Sequence, residues 1–160
     1  MILRHTSTSS VEPTQYKSEK TVNGFLFSTD KGKLQTNYIH HYLSEESYWA
    51  KHIPMQTVEK AIEGSLCFGI YHNQQQIGFA RVITDNATFG YLADVFIDKD
   101  YRGRGLSKQL MAFILEYPII KTLRRFMLAT KDAHSLYAQF GFNPLKEPAR
   151  FMETKFFESY

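Results

Sequence analysis

The stretch Val95-Phe96-Ile97-Asp98-Lys99-Asp100-Tyr101-Arg102-Gly103-Arg104-Gly105-Leu106-Ser107 decides how the rest of the chain is read. Its first three residues close an apolar run from Phe89 that reads as a strand, and Asp98-Lys99-Asp100 breaks it. After the glycines, Leu106, Leu110, Phe113, Ile114 and Tyr117 recur three and four apart, marking one buried face of a helix that Pro118 stops. A strand therefore passes through a basic, glycine-containing turn into an amphipathic helix. The first N–H groups of a helix have no partner inside it and lie at the positive end of its dipole, so amides from Gly103 to Ser107 can wrap an anion as extended as a pyrophosphate. Gly105 lets the backbone come close, and Arg102 and Arg104 add charge nearby. The stretch has neither the Gly-Lys-Ser/Thr ending of a P-loop nor the three-glycine fingerprint of a dinucleotide fold.

Towards the N-terminus, residues 65 to 72 are apolar on both faces, Asn73 to Gln75 form a turn and Ile77 to Ile83 are again strand-like, which predicts a hairpin. A turn at Asp85-Asn86 leads into the strand from Phe89. Further back, Leu34, Tyr38, Ile39, Tyr42 and Leu43 keep helical spacing up to a break over residues 44 to 49. Pro54 can then open a second helix, with Val58, Ala61 and Ile62 buried, ending at Gly64. Phe25-Leu26-Phe27 reads as a strand closed by Asp30-Lys31-Gly32. Residues 4 to 20 are polar with no apolar period, so 1–21 is read as a mobile leader or a poorly anchored first strand, and 22–160 as one domain.

On the C-terminal side, Leu123 to Leu128 is a further strand. Ala133, Leu136, Tyr137 and Phe140 define a helix with Thr130 as its N-cap and Gly141 at its C-terminal cap. Phe151 to Phe157 reads as a last strand. The order strand, two helices, three strands, helix, strand, helix, strand predicts an α/β chain of the α+β type, with a mixed, mostly antiparallel central sheet and helices on both faces.

At 160 residues the chain can bury a core without disulfide or metal, and 43% apolar against 22% charged residues favours a globular fold. A net charge of +3, with basic and acidic residues interspersed, does not point to nucleic acid. No run approaches the ~20 apolar residues of a membrane span, and nothing at the N-terminus reads as a signal segment, so no membrane partner and a cytoplasmic location are expected. The lone Cys67, in the apolar run from Ser65 to Tyr71, reads as a small core hydrophobe. The histidines show no ligand spacing with a carboxylate or cysteine, so no metal is assigned.

Tyr101-Arg102-Gly103-Arg104-Gly105-Leu106-Ser107 resembles the acyl-CoA motif of the GNAT superfamily, Arg/Gln-x-x-Gly-x-Gly/Ala, with Ser107 in place of the last small residue. A second stretch, Asp132-Ala133-His134-Ser135-Leu136-Tyr137-Ala138-Gln139-Phe140-Gly141-Phe142, is similar to that superfamily's late helix, although the customary Asn ahead of the Ala is missing. The resemblance covers about residues 22 to 157. It implies the acyl-CoA N-acyltransferase fold, acetyl-CoA as cosubstrate, and a splayed strand pair whose gap takes the pantetheine arm. The backbones of Val95, Phe96 and Ile97 would bond that arm, and the turn from Arg102 through Gly103, Arg104, Gly105, Leu106 and Ser107 would hold the diphosphate.

The implied reaction is transfer of an acetyl group to a primary amine of a small molecule or peptide by direct attack. By resemblance Tyr137 faces the leaving thiolate. A phenol near pKa ~10 is a weaker acid than a thiol near ~8.5, so full proton transfer is uphill by roughly 2 kcal/mol and a strong hydrogen bond describes the role better. Asp94, alternating with Leu92 and Phe96, is an unusual carboxylate for a strand face and is the first candidate for a general base or acceptor anchor; the other reading makes it a structural partner of Arg81, Arg124 or Arg125. Tyr48 and Trp49 fall in a segment that in this superfamily commonly covers the acceptor site, where aromatics can line a pocket for an amine or simply pack. The alternative function is a non-catalytic acyl-CoA-binding module on the same fold, and a homodimer is an open possibility for the assembly.

Overall fold

Asn23 and Gly24 both take positive φ, 50° and 82°. That is the requirement of a two-residue hairpin whose twist matches its strands, so β1 (Glu19–Val22) folds back antiparallel on β2 (Phe25–Ser28). The computed structural model describes residues 16–160; the first fifteen residues of the expected leader lie outside the described part. Glu19, Lys20 and Thr21 pair with Ser28, Phe27 and Leu26, so the sheet begins ahead of the boundary expected at Val22.

Among the described residues the sheet has six strands in the order β1-β2-β3-β4-β5-β6, completed by β3 (Leu66–His72), β4 (Gln75–Thr84), β5 (Phe89–Ile97) and β6 (Arg125–Leu128). All neighbours are antiparallel except β5 and β6, which gives the mixed, mostly antiparallel sheet expected. The β3–β4 turn again places two residues, Asn73 and Gln74, at positive φ.

Alternation along the strands sends side chains to two separate cores. On one face Phe27, Phe68, Ile70 and Val82 meet Leu110, Phe113 and Ile114 of α3 (Leu106–Glu116) and Ile120 of α4 (Pro118–Thr122). On the other, Cys67, Phe79 and Phe96 meet Ile39 of α1 (Thr36–His41), Leu43, and Val58 of α2 (Met55–Glu63). Phe27, Phe68 and Phe79 are at most 1% exposed, and cutting any of them to alanine costs roughly 3–5 kcal/mol. Burial pushes the Cys67 thiol up to about 11, in keeping with a packing role.

Three local expectations need correction. The first helix does not stop at Ser44: α1 runs on through a wide π-helical turn, Tyr42–Glu46, and ends at Ser47, whose Oγ donates to the Leu43 carbonyl at 2.6 Å. Pro118 stops α3 but also opens α4, because a proline needs no N–H at the first helical position. No last strand forms at Phe151–Phe157. After a 3-10 turn at Pro148–Arg150 the chain is exposed and irregular to its end, and β6, only four residues long, is the edge beside it.

Candidate active site

β5 carries the site because it is irregular in two ways. Against β4, Phe96 pairs with Phe79 but Ala93 pairs with Arg81, so Asp94 and Val95 together face Ala80 alone. This is a β-bulge, and Asp94 sits in it with φ 53°, a conformation uncommon for a side chain other than glycine. The extra residue breaks the alternation expected from the sequence: Leu92 joins the core under α3 and Phe96 the core under α1, so Leu92, Asp94 and Phe96 do not share a face. Against β6, pairing runs from Phe89 opposite Arg125 to Leu92 opposite Leu128 and stops. From Ala93 to Ile97 the strand has β4 on one side and, among the described residues, no strand on the other.

The unpaired edge opens into a cleft of about 610 Å³ bordered by Tyr48, Trp49, Asp94, Val95, Thr130 and Tyr137. The two aromatics of the α1–α2 connection, the bulge and the late helix α5 (His134–Ala138) are thus brought to one place, together with Tyr160, which the sequence did not single out. Tyr48 and Trp49 stand edge to face at 5.0 Å and are 57% and 41% exposed, so they are walls of the cleft rather than core. The Tyr48 hydroxyl accepts from the Lys131 amide at 3.3 Å, joining the α1–α2 connection to the loop ahead of α5. A larger hollow of about 760 Å³ lies elsewhere, along β6, and contains none of the expected site residues.

Both oxygens of the Asp94 carboxylate have a partner. One carboxylate oxygen accepts from Arg81 Nε at 2.6 Å and the other from Trp49 Nε1 at 2.9 Å, while Arg81 Nη1 donates to Ser65 Oγ at 3.2 Å. Of the two readings open from the sequence, the structure displays the ion pair with Arg81, and through its second oxygen Asp94 anchors the Trp49 indole at the edge of the cleft. Tyr137 differs. It is 8% exposed, no neighbouring side chain among the described residues hydrogen-bonds its hydroxyl, and burial, then the nearby Tyr48 and Asp132, raises its pKa above the ordinary phenol value.

Two residues beyond Val95, Ile97 lines a second pocket of about 230 Å³ with Arg102, Gly103, Gly105, Leu106 and Ser107. Gly103 and Gly105 lie at φ 77° and 74°, and a Cβ at either would meet nothing within 4 Å, so the backbone conformation demands glycine and the space above it is open. Gly105 is the N-cap of α3 and offers no capping side chain; the first bond of the helix runs from Gln109 N to the Gly105 carbonyl. The amides of Leu106, Ser107 and Lys108 are left without helical partners, the donor set an anion needs. The two arginines part company. Arg102 Nε donates to the Ile97 carbonyl at 3.1 Å and its Nη2 to Tyr42 Oη at 2.8 Å, fastening the turn to a tyrosine stacked on Phe96 at 3.7 Å. The Arg104 guanidinium lies over the Tyr101 ring at 5.2 Å.

Residues 36–142, from α1 to the end of the late helix region, match the acetyltransferase (GNAT) family. The chain belongs to that family. A Gibberella zeae protein to which acetyltransferase activity is ascribed is 32% identical over 142 residues, 74% of this chain and 78% of its own length. A crystal structure of a GNAT family protein from Xanthomonas campestris pv. campestris is 49% identical with a TM-score of 0.80, covering 82% of this chain and 92% of that one. A GNAT acetyltransferase of Elizabethkingia anophelis, solved with acetyl-CoA bound, shares the fold at 12% identity and a TM-score of 0.58, over 76% of this chain and 78% of its own. Membership makes this protein an acyltransferase of a family that uses acetyl-CoA. Among the described residues no helix is long and apolar enough to cross a membrane.

Proposed function

We propose that this GNAT enzyme is a cytoplasmic N-acetyltransferase acting on the primary amine of a small molecule or peptide, without a metal, with acetyl-CoA held along the free edge of β5. The observation that carries the reading is that one strand links both halves of the site: its unpaired edge borders the cleft at Val95 and the glycine-turn pocket at Ile97. The open backbone from Val95 to Ile97 suits an arm carrying its own amides, which can pair with it as a short strand. The unpartnered amides of Leu106, Ser107 and Lys108, with the open space over Gly103 and Gly105, suit the diphosphate. Arg102, committed to Ile97 and Tyr42, acts by fixing the turn, leaving Arg104 as the more available charge.

In the cleft the neutral amine nitrogen attacks the thioester carbonyl, the N–C bond forms as the C–S bond breaks, and the proton the nitrogen sheds ends on the departing sulfur, leaving an amide and free CoA thiol. Backbone donors at the bulge are suited to the carbonyl oxygen as it gains charge. Tyr137, protonated and without a competing side-chain partner among the described residues, is suited to hydrogen-bond the departing sulfur. Asp94 supports the acceptor wall by holding Trp49.

The test is twofold. With ligand at about 100 times its dissociation constant, binding adds about 2.7 kcal/mol of stability, so acetyl-CoA should raise the melting temperature and free acetate should not. Release of CoA thiol from acetyl-CoA in the presence of a panel of primary amines should exceed release with their N-methylated, tertiary counterparts. Stabilisation without amine-dependent thiol release across the panel would remove the amine from the reading, and no stabilisation would remove the cosubstrate.

A further inference from the structure

Of the eleven large apolar side chains exposed among the described residues, six crowd into the last sixteen positions: Leu145, Phe151, Met152, Phe156, Phe157 and Tyr160. Met152 is 98% and Phe156 91% exposed, which a soluble surface does not leave in a cluster without a use. Phe151 leaves the turn at Pro148–Arg150 in an extended conformation, φ −105° and ψ 135°, yet the segment that follows has no strand partner among the described residues.

The sequence of this segment, Arg150-Phe151-Met152-Glu153-Thr154-Lys155-Phe156-Phe157-Glu158, is complementary to itself. Two copies run antiparallel about a two-fold axis at Thr154 set Glu153 opposite the partner's Lys155, Met152 opposite the partner's Phe156, Phe151 opposite the partner's Phe157, and Arg150 opposite the partner's Glu158. Apart from Thr154, which meets the partner's Thr154 on the axis, every cross-strand pair is then either apolar or of opposite charge, and all three combinations stabilise a ladder. Neighbouring registers lose this. A slip of one residue sets Glu153 against Phe156 or against Thr154, and a slip of two sets Glu153 against Glu153 or Lys155 against Lys155, so the charges specify a single alignment.

We infer that residues 150–158 pair with the same residues of a second copy of this chain, making the protein a two-fold homodimer joined by an antiparallel strand pair. The contacts that must be exchanged are exposed ones: Arg150 with Glu147, Lys155 with Glu158 at 3.8 Å, and the edge-to-face rings of Phe157 and Tyr160 at 5.5 Å. A bare two-stranded ribbon is marginal, and here Met152, Thr154 and Phe156 fall on one side, a face that needs cover. The hollow along β6 supplies a seat of mixed character beside the strand: Phe126, Met127, Pro144 and Leu145 can take the apolar side chains, Phe151 stands over the Arg125 guanidinium, and Arg124, Lys146 and Glu147 give it a charged rim.

Sedimentation equilibrium of the full chain tests this. The wild-type protein should be a dimer. Glu153→Lys, an exposed change that leaves the circular dichroism spectrum intact, should weaken the dimer roughly tenfold to a hundredfold by placing lysines opposite each other. The double variant Glu153→Lys/Lys155→Glu should restore wild-type association. A monomeric wild type, a dimer indifferent to Glu153→Lys, or a double variant no tighter than the single one overturns the inference.

Discussion

Tyr137 and Asp94 border the same cleft but differ in how free their oxygens are. Among the described residues the Tyr137 hydroxyl has no side-chain partner, and burial raises its pKa above the ordinary phenol value, so it keeps a proton to donate at neutral pH. Tyr137→Phe should therefore lower kcat roughly tenfold or more while leaving the acetyl-CoA dissociation constant nearly unchanged, and the rise of rate with pH should survive, because it reflects the amine losing its proton. Steady-state kinetics with calorimetric binding checks this, and an unaltered kcat would remove the role. Asp94→Asn should act differently. It strands the Arg81 guanidinium, whose side chain is 17% exposed, and breaking such a pair costs roughly 3–5 kcal/mol, read as a fall in urea-unfolding stability.

The glycine turn and the bulge are elements whose sequences say different amounts. The turn announced itself: Gly103 and Gly105 take the left-handed conformation that motivates a glycine, and α3 begins at Leu106 where its apolar period begins. Gly105→Ala meets no protein atom, yet must hold φ near 74°, so it should destabilise by about 1 kcal/mol and weaken acetyl-CoA by partly closing the open space, seen in parallel unfolding and titration experiments. Affinity and stability both unchanged would count against the turn as the anchor. The bulge was hidden. A lone Asp between Ala93 and Val95 in an apolar strand hinted at it, but one extra residue is defined only by the partner strand, and it moved Asp94 off the face assigned to it. The hairpin at Asn23-Gly24 was readable and carried the strongest short-range signal for a two-residue turn, so the first strand could have been drawn from Glu19.

At the scale of the molecule, five tyrosines, Tyr38, Tyr42, Tyr71, Tyr117 and Tyr137, have pKa values raised first of all by burial, with Asp98 adding to the effect at Tyr38. In the unfolded chain each phenol ionises near pH ~10; in the folded protein each keeps its proton longer. Above that pH the folded state binds more protons than the unfolded one, so stability falls as pH rises from about 10, having been fully present below it. Urea midpoints measured from neutral pH upward should stay level to about pH 9 and then drop, and a flat profile to pH 11 would contradict the burial of these side chains.

The sequence by itself determined the fold class, the strand-turn-helix that defines the family, and the residues of the glycine turn, because helix and strand periods and the need for left-handed glycine are properties of neighbours a few residues apart. Only the tertiary structure decided the rest. That β5 parts from β6 after Leu92, that Asp94 is bound to both Arg81 and Trp49, that Tyr48 reaches the Lys131 amide, and that the last ten residues stay off the sheet are all relations between segments far apart in the chain. Such pairings follow from which surfaces remain to be covered once every local element has formed, and no local pattern records that.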